Sequence, residues 1–238
     1  MIVGINQPYW IPYVGYFSLI GVVDTFVPLD TVQFSRKSWV ARNYLVSGGQ
    51  PFLSTIPLEK ASQNMTIRDL SIDFSQPWRQ KMLNSLVRNY KQTAISKPVV
   101  EMVERWFENP PTNLSQFLVG TIRDISRGLG METRILSSDS EVLNPEVGLR
   151  GQDKIMAICQ CLGANTYLNL PSGASLYDPE QFEQNRIKLG FTPTVPPELE
   201  MPGTRYKSIL SHLMEVGFEG TRVEVERHFR VSGGEKVQ

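Results

Sequence analysis

Between Met1 and Asp30 the chain spells an apolar run of strand length, a loop rich in proline and glycine, an apolar run of helix length, and a second apolar run of strand length. Residues 1–5 read as a buried strand, the loop is NQPYWIPYVGYF, residues 16–23 read as a short buried helix, and residues 25–29 (TFVPL) read as the second strand. Strand, helix, strand in that order opens a parallel sheet, so everything later in the chain has to attach to one. Pro28 cannot donate to a sheet ladder, which marks a sheet edge or a strand end.

The following residues change character. Residues 39–46 and 51–58 flank Gly48-Gly49, the signal of a hairpin. Residues 67–74 alternate apolar and polar side chains, the mark of a half-buried strand. From Trp78 to Leu129 apolar residues fall three and four apart, which predicts helices, with Asn113 as an N-cap and Gly130 just beyond the last one. The α/β order then returns. Strands are expected over 133–137, 166–170 and 191–195, and helices over 153–162, 180–189 and 206–216, the last stopped by Gly217. The expected fold is α/β: a Rossmann-like, mostly parallel sheet with a β-hairpin extension and a helical insertion. Residues 1–231 form one domain in this reading, with 75–130 as the insertion and 232–238 as a flexible tail.

Composition narrows the function. Lys plus Arg and Asp plus Glu are both 24, so no net field recruits nucleic acid or an acidic membrane. No apolar run reaches the ~20 residues of a membrane span. The first residues carry no positive n-region, so a cytoplasmic, reducing setting is expected rather than a secreted one. The two cysteines, Cys159 and Cys161, lack zinc spacing, and there are only two histidines, so no metal site is expected.

Open α/β sheets bind ligands beyond the carboxyl ends of their strands. Three such ends stand out: Asn6-Gln7-Pro8, Asp30 with the residues after it, and Pro171-Ser172-Gly173. The first loop has neither the Gly-x-Gly-x-x-Gly nor the P-loop pattern, so no dinucleotide or nucleotide motif names a cofactor. Its rings could stack on a planar or sugar ring, or pack a tight turn. Asp30 suits a general base, a metal ligand or a hydroxyl binder, and equally a cap or an ion pair with Arg36 or Arg42. Arg42 could clamp a carboxylate or phosphate in two-point fashion. Ser38, Ser172 and Ser208 lack the surroundings of a serine nucleophile, and His212 lies on an amphipathic helix where a structural role is expected.

The opening block resembles the WbqC-like protein family. The shared features are Gln7-Pro8, the aromatic-Pro-aromatic loop from Trp10 to Tyr13, Gly15-Tyr16-Phe17, Asp30, Gln33-Phe34 and Arg42-Asn43. Trp78, Asn89-Tyr90, Leu162-Gly163-Ala164, Leu176-Tyr177-Asp178 and Ser208 to Gly217 also fit. One position departs: the family usually has His before the Gln-Pro pair, and here Asn6 stands there, able to hydrogen-bond but not to take up a proton at neutral pH. The resemblance implies a role in bacterial O-antigen or related surface-polysaccharide biosynthesis, with acyl or aminoacyl transfer to an amine as its reaction. A second likeness, to nucleotidyltransferase-type α/β domains, places Tyr13-Val14-Gly15-Tyr16 where those carry His-x-Gly-His.

The reading that follows is a transferase forming an amide on an amino sugar or similar amine, in surface-polysaccharide or secondary-metabolite biosynthesis. Asp30 and Asn6 are the expected catalytic residues. Gln7, Tyr9, Tyr13, Tyr16, Gln33, Arg36, Lys37, Arg42, Asn43 and Tyr177 are the expected substrate contacts. The expected partners are a small amine acceptor and an activated acyl or aminoacyl donor. An aminoacyl-tRNA donor stays open, although bulk nucleic-acid binding and membrane association are not expected. An ATP-dependent ligase and a non-catalytic glycan or metabolite binder are the alternatives.

Overall fold

In the computed structural model, residues 1–47, 50–62, 64–90, 93–143, 148–194 and 207–230 are described. The Gly48-Gly49 turn, Val195 of the last expected strand and the expected tail 232–238 lie outside them. The opening βαβ unit forms as its pattern requires. β1 (Ile2–Asn6) is followed by α1 (Val14–Val22) and by β2 (Thr25–Pro28), and the two strands pair in parallel with Asn6 opposite Pro28. Pro28 therefore marks a strand end, because β2 is flanked on both sides. α1 is apolar all round and buried along most of its length, as a helix without a polar face must be.

The chain then leaves the sheet. β3 (Arg42–Ser47) and β4 (Gln50–Thr55) make an antiparallel hairpin, and β5 (Leu58–Glu59) pairs with β6 (Ser71–Ile72). Residues 67–74 are not one strand. Thr66 and Asp69 cap each other and wind Ile67–Asp69 into a 3-10 turn, and only Ser71–Ile72 remains extended. α2 (Trp78–Asn89), α3 (Lys97–Trp106) and α4 (Leu114–Gly128) follow, and the Asn113 side chain accepts from Gln116 N to start α4.

β7 (Arg134–Ile135) returns to the sheet beside β2. After it come α5 (Gly151–Cys161), β8 (Thr166–Asn169), a 3-10 turn at Pro171–Leu176, α6 (Pro179–Gln184), β9 (Lys188–Phe191) and α7 (Ile209–Arg230). α6 is shorter than expected and β9 begins earlier. Arg186 turns the chain at φ 59, and Lys188 N then donates to Asn165 O beside β8. Gly217 does not end α7. At φ 71 and ψ −176 it breaks the helix, which resumes on the far side.

The five-stranded sheet runs β7-β2-β1-β8-β9 with every pair parallel, an α/β Rossmann-like fold. Side chains alternate across it. Val3, Ile5, Val27 and Tyr167 pack with Ile155, Ile158 and Cys159 of α5 and with Phe182 of α6. Phe26 and Leu168 pack on the other face with α1, α7 and the helices α2 to α4. Each fully buried Leu, Ile, Val or Phe contributes about 1.5–3 kcal/mol relative to exposure, so these two clusters carry the fold. Among the described residues no helix is long and apolar enough to cross a membrane.

His212 sits on α7 at 9% exposure, and burial, with Lys207 nearby, lowers its pKa to about 4. A lowered histidine pKa means that the unfolded chain binds the proton first. The stabilisation present above pH ~6.5 is therefore lost as pH falls towards ~4, by up to about 3 kcal/mol. Urea titrations at pH 7 and pH 5 are expected to show this loss in the native chain, with a much flatter pH response in His212→Gln.

Candidate functional site

Along the sheet, β1 is followed by β2 and β7 on one side, and the chain then crosses back to place β8 and β9 on the other. The loops leaving β1 and β8 consequently diverge at their carboxyl ends. A cleft of about 1190 Å³ opens there, as the switch-point rule for such sheets requires. Its floor is the end of β1 (Ile5, Asn6, Gln7) and the end of β8 with its turn (Asn169 to Gly173). The rest of its lining includes Tyr9, Tyr13, Trp39 and Asn43, and Arg150, Gln152, Lys154 and Tyr177.

The two strand ends are built alike. Asn6 Oδ1 accepts from Gln7 N at 2.8 Å, and Asn169 Oδ1 accepts from Leu170 N at 2.7 Å. Each amide is thereby fixed in orientation by its own loop. Asn169 Nδ2 donates to Tyr177 Oη at 3.0 Å, and the same hydroxyl pairs with that of the buried Tyr167 at 2.9 Å. Asn6 Nδ2 has no partner among the described residues, which leaves an oriented donor at the floor of the cleft. Gly173 is needed beside Asn169, since a Cβ there would stand 2.6 Å from Asn169 Nδ2.

The loop after β1 is held by its neighbours. Trp10 is fully buried, its indole NH on Ser54 Oγ at 3.2 Å and its ring against Trp78, Trp106 and Phe117 at 5.7–6.1 Å. Ile11 adopts φ 39, unusual for a β-branched residue. Asn43 Nδ2 donates to both the Trp10 and Ile11 carbonyls, at 3.0 and 2.8 Å, and so fixes this turn. Tyr9 and Tyr13 on either side of it are half-buried and line the cleft. Burial raises the Tyr9 hydroxyl pKa, so that phenol stays protonated.

The expected contacts divide on this geometry. Asn6, Gln7, Tyr9, Tyr13, Gln33, Asn43 and Tyr177 line the cleft. Tyr16 does not: it is fully buried, and its hydroxyl donates to Gln7 O at 2.9 Å, supporting the loop from beneath. Arg36 reaches Ala61 O, Lys37 is exposed, and Arg42 donates to Lys37 O with its guanidinium 5.9 Å over the Trp39 ring. None of these three cations lines the cleft.

Asp30 is also set apart from the cleft lining. Its carboxylate is fully buried, in an ion pair with Arg68 at 3.1 Å and accepting from Ser115 Oγ at 2.6 Å. Burial raises its pKa above the ordinary value, against the Ser115 and Arg68 hydrogen bonds that favour the charged form. Its ion-pair partner is thus Arg68, neither Arg36 nor Arg42. Arg68 N in turn donates to Asp30 O, and Asn113 Nδ2 donates to Arg68 O at 2.7 Å. The end of β2, the 3-10 turn and the start of α4 are tied together at this point.

Residues outside the expected set complete the cleft. Thr31 donates to Leu143 O at 3.2 Å and accepts from Lys154 Nζ at 2.6 Å. Burial, then the charge of Arg68, lowers the Lys154 pKa, and Asp30 partly opposes them. Arg150, four residues earlier, is exposed and has no carboxylate partner among the described residues. The lining contains amides, hydroxyls, rings and these two cations, and among its described residues no Asp, Glu, His or Cys. The i, i+4 spacing of Arg150 and Lys154 at the start of a helix that follows a strand was the available sequence signal for them.

A model of the WbqC-like protein family matches residues 7–223. A protein of Mycobacterium tuberculosis described only as uncharacterised is 28% identical over 190 residues, covering 79% of this chain and 80% of that protein. No solved structure matches the chain.

Asp30→Ala is expected to destabilise the fold by about 3 kcal/mol, since it leaves Arg68 and Ser115 facing an empty buried site. Asp30→Asn keeps the oxygen that accepts from Ser115, and its expected cost is about 1 kcal/mol. Denaturant midpoints of the two variants measure the difference, and equal losses would contradict a buried ion pair.

Proposed function

The chain belongs to the WbqC-like protein family, and from that premise we propose that it is an acyl- or aminoacyltransferase forming an amide on an amino sugar or similar amine, in surface-polysaccharide or secondary-metabolite biosynthesis. The observation that carries this reading is the oriented Asn6 donor at a switch-point cleft whose described lining holds neither a carboxylate nor an imidazole. Such a site favours direct transfer between two bound substrates, by positioning and by stabilising developing charge. The amine nitrogen attacks the acyl carbon, the C–N bond forms, and the carbonyl oxygen becomes an oxyanion. Asn6 Nδ2 donates to that oxygen. The bond to the leaving group then breaks, and the amine's proton departs with the leaving group. Tyr9, Tyr13 and Trp39 suit the apolar face of a sugar ring on the acceptor side.

An ATP-dependent ligase fits less well, because carboxylates to hold Mg2+ beside the phosphates are missing from the described lining. A non-catalytic binder is the second reading, favoured by Asn6, which cannot accept a proton. The test combines acetyl-CoA, acetyl phosphate or an aminoacyl adenylate with glucosamine and follows amide product by mass spectrometry. Product that depends on the protein, reduced about a hundredfold in Asn6→Asp, is expected, since that change keeps the acceptor for Gln7 N but removes the donor. Unchanged product in Asn6→Asp would remove Asn6 from the reaction. Saturable binding of glucosamine with no product from any donor would favour the binder.

A further inference from the structure

We infer that Arg150 and Lys154 form the binding site for a phosphate leaving group, so that the donor is an acyl phosphate or acyl adenylate. The inference rests on the transferase reading and names its donor. Two features of the cleft lead to it.

The first is charge. Arg150 and Lys154 both line a cleft whose described lining carries no negative group, in a chain whose total charge is balanced. Some cations are matched with carboxylates, as Arg68 with Asp30, Lys207 with Glu215 and Arg222 with Glu219, and Arg36 and Arg42 donate to backbone carbonyls away from the cleft. Asp30 is the carboxylate that acts electrostatically on Lys154, and it is already paired with Arg68. The hydroxyl of Thr31 holds Lys154 Nζ at 2.6 Å, and its own proton is committed to Leu143 O. Lys154 is thereby placed by a neutral hydroxyl. Two cations four residues apart, with no carboxylate partner among the described residues other than the already paired Asp30, attract an anionic group, and each can donate charge-assisted hydrogen bonds to phosphate oxygens.

The second is proton balance. Amide formation releases one proton from the attacking amine, and the described lining has no carboxylate or imidazole to receive it. A phosphate leaving group receives it itself. As the C–N bond forms and the C–O bond to phosphate breaks, the departing phosphate carries away the electron pair and takes the proton. The products are the amide and hydrogen phosphate, or AMP from an adenylate. The cations stabilise the charge that appears on that oxygen, which is where preorganised positive groups act most strongly. The cleft volume of about 1190 Å³ has room for such a donor together with an acceptor ring.

The experiment is calorimetric titration of the full chain with sodium phosphate, AMP and sodium acetate at constant ionic strength. Phosphate and AMP are expected to bind, acetate not to, and Arg150→Gln and Lys154→Gln each to weaken binding about tenfold, as loss of one charge-assisted hydrogen bond implies. Arg150→Gln alters an exposed side chain, so its result stands even if Lys154→Gln disturbs Thr31. No binding of phosphate or AMP, equal binding in both variants, or acetate binding as tightly as phosphate would each overturn the inference. Amide product from acetyl-CoA that is unaffected by either variant would overturn the phosphate site and leave the transferase reading standing. Phosphate binding that is lost in the variants, with no amide product from any donor, would do the reverse.

Discussion

The burial of Trp10 decides the shape of the loop on which the cleft depends. Its indole sits among Trp78, Trp106 and Phe117, rings supplied by three helices, and its NH is satisfied by Ser54 of the hairpin. Drawing that side chain inward forces the next residue, Ile11, into an unfavourable backbone conformation, and Asn43 holds the strained turn by both flanking carbonyls. The hairpin and the helices α2 to α4 thereby act on the sheet's first loop although they add no strand to the sheet. With Trp10 fixed inward, Tyr9 and Tyr13 are left at the cleft wall.

Sheet order does the rest. β1 lies at the centre of the sheet because the chain builds outward through β2 and β7 before crossing back to β8 and β9. That crossover brings the start of α5, with Arg150 and Lys154, to the same edge as Asn6. Asp30, at the end of the neighbouring strand, is drawn out of the cleft by Arg68 and Ser115 and serves as a tie between elements. A buried carboxylate with a good cationic partner is costly to break and adds no reactive group to the cleft.

The fold was legible in the sequence wherever a pattern had one physical solution. The first βαβ unit has two apolar runs of strand length with an apolar helix between them, and a parallel sheet is the arrangement that buries all three. Alternation at residues 67–74 had two solutions, and the mutual capping of Thr66 and Asp69 chose the turn. Gly217 reads as a stop, yet α7 resumes beyond it because Val225 belongs to the same core and its carbonyl accepts from Ser18 of α1. The site was half legible. The rings near Asn6 resemble one another in sequence, and only tertiary contacts separate buried Trp10 and Tyr16 from Tyr9 and Tyr13. The cations could not be sorted locally either. Arg36, Lys37 and Arg42 follow the second strand closely, but their loop folds onto Ala61 and Trp39. Arg150 reaches the cleft only through the crossover.

Asn6 then takes a different meaning from a lost histidine. Its carbonyl oxygen accepts from Gln7 N, which leaves the NH2 group as a donor without a partner among the described residues. A neutral imidazole could likewise accept from Gln7 N at one nitrogen and donate from the other, but it changes charge near neutral pH. An amide serves the loop and the ligand at once, and it does so at any pH, because it does not titrate. An amide at this position fits the proposed reaction, whose proton is carried off by its own leaving group. On the proposed reading the described lining supplies one fixed donor and a pair of cations.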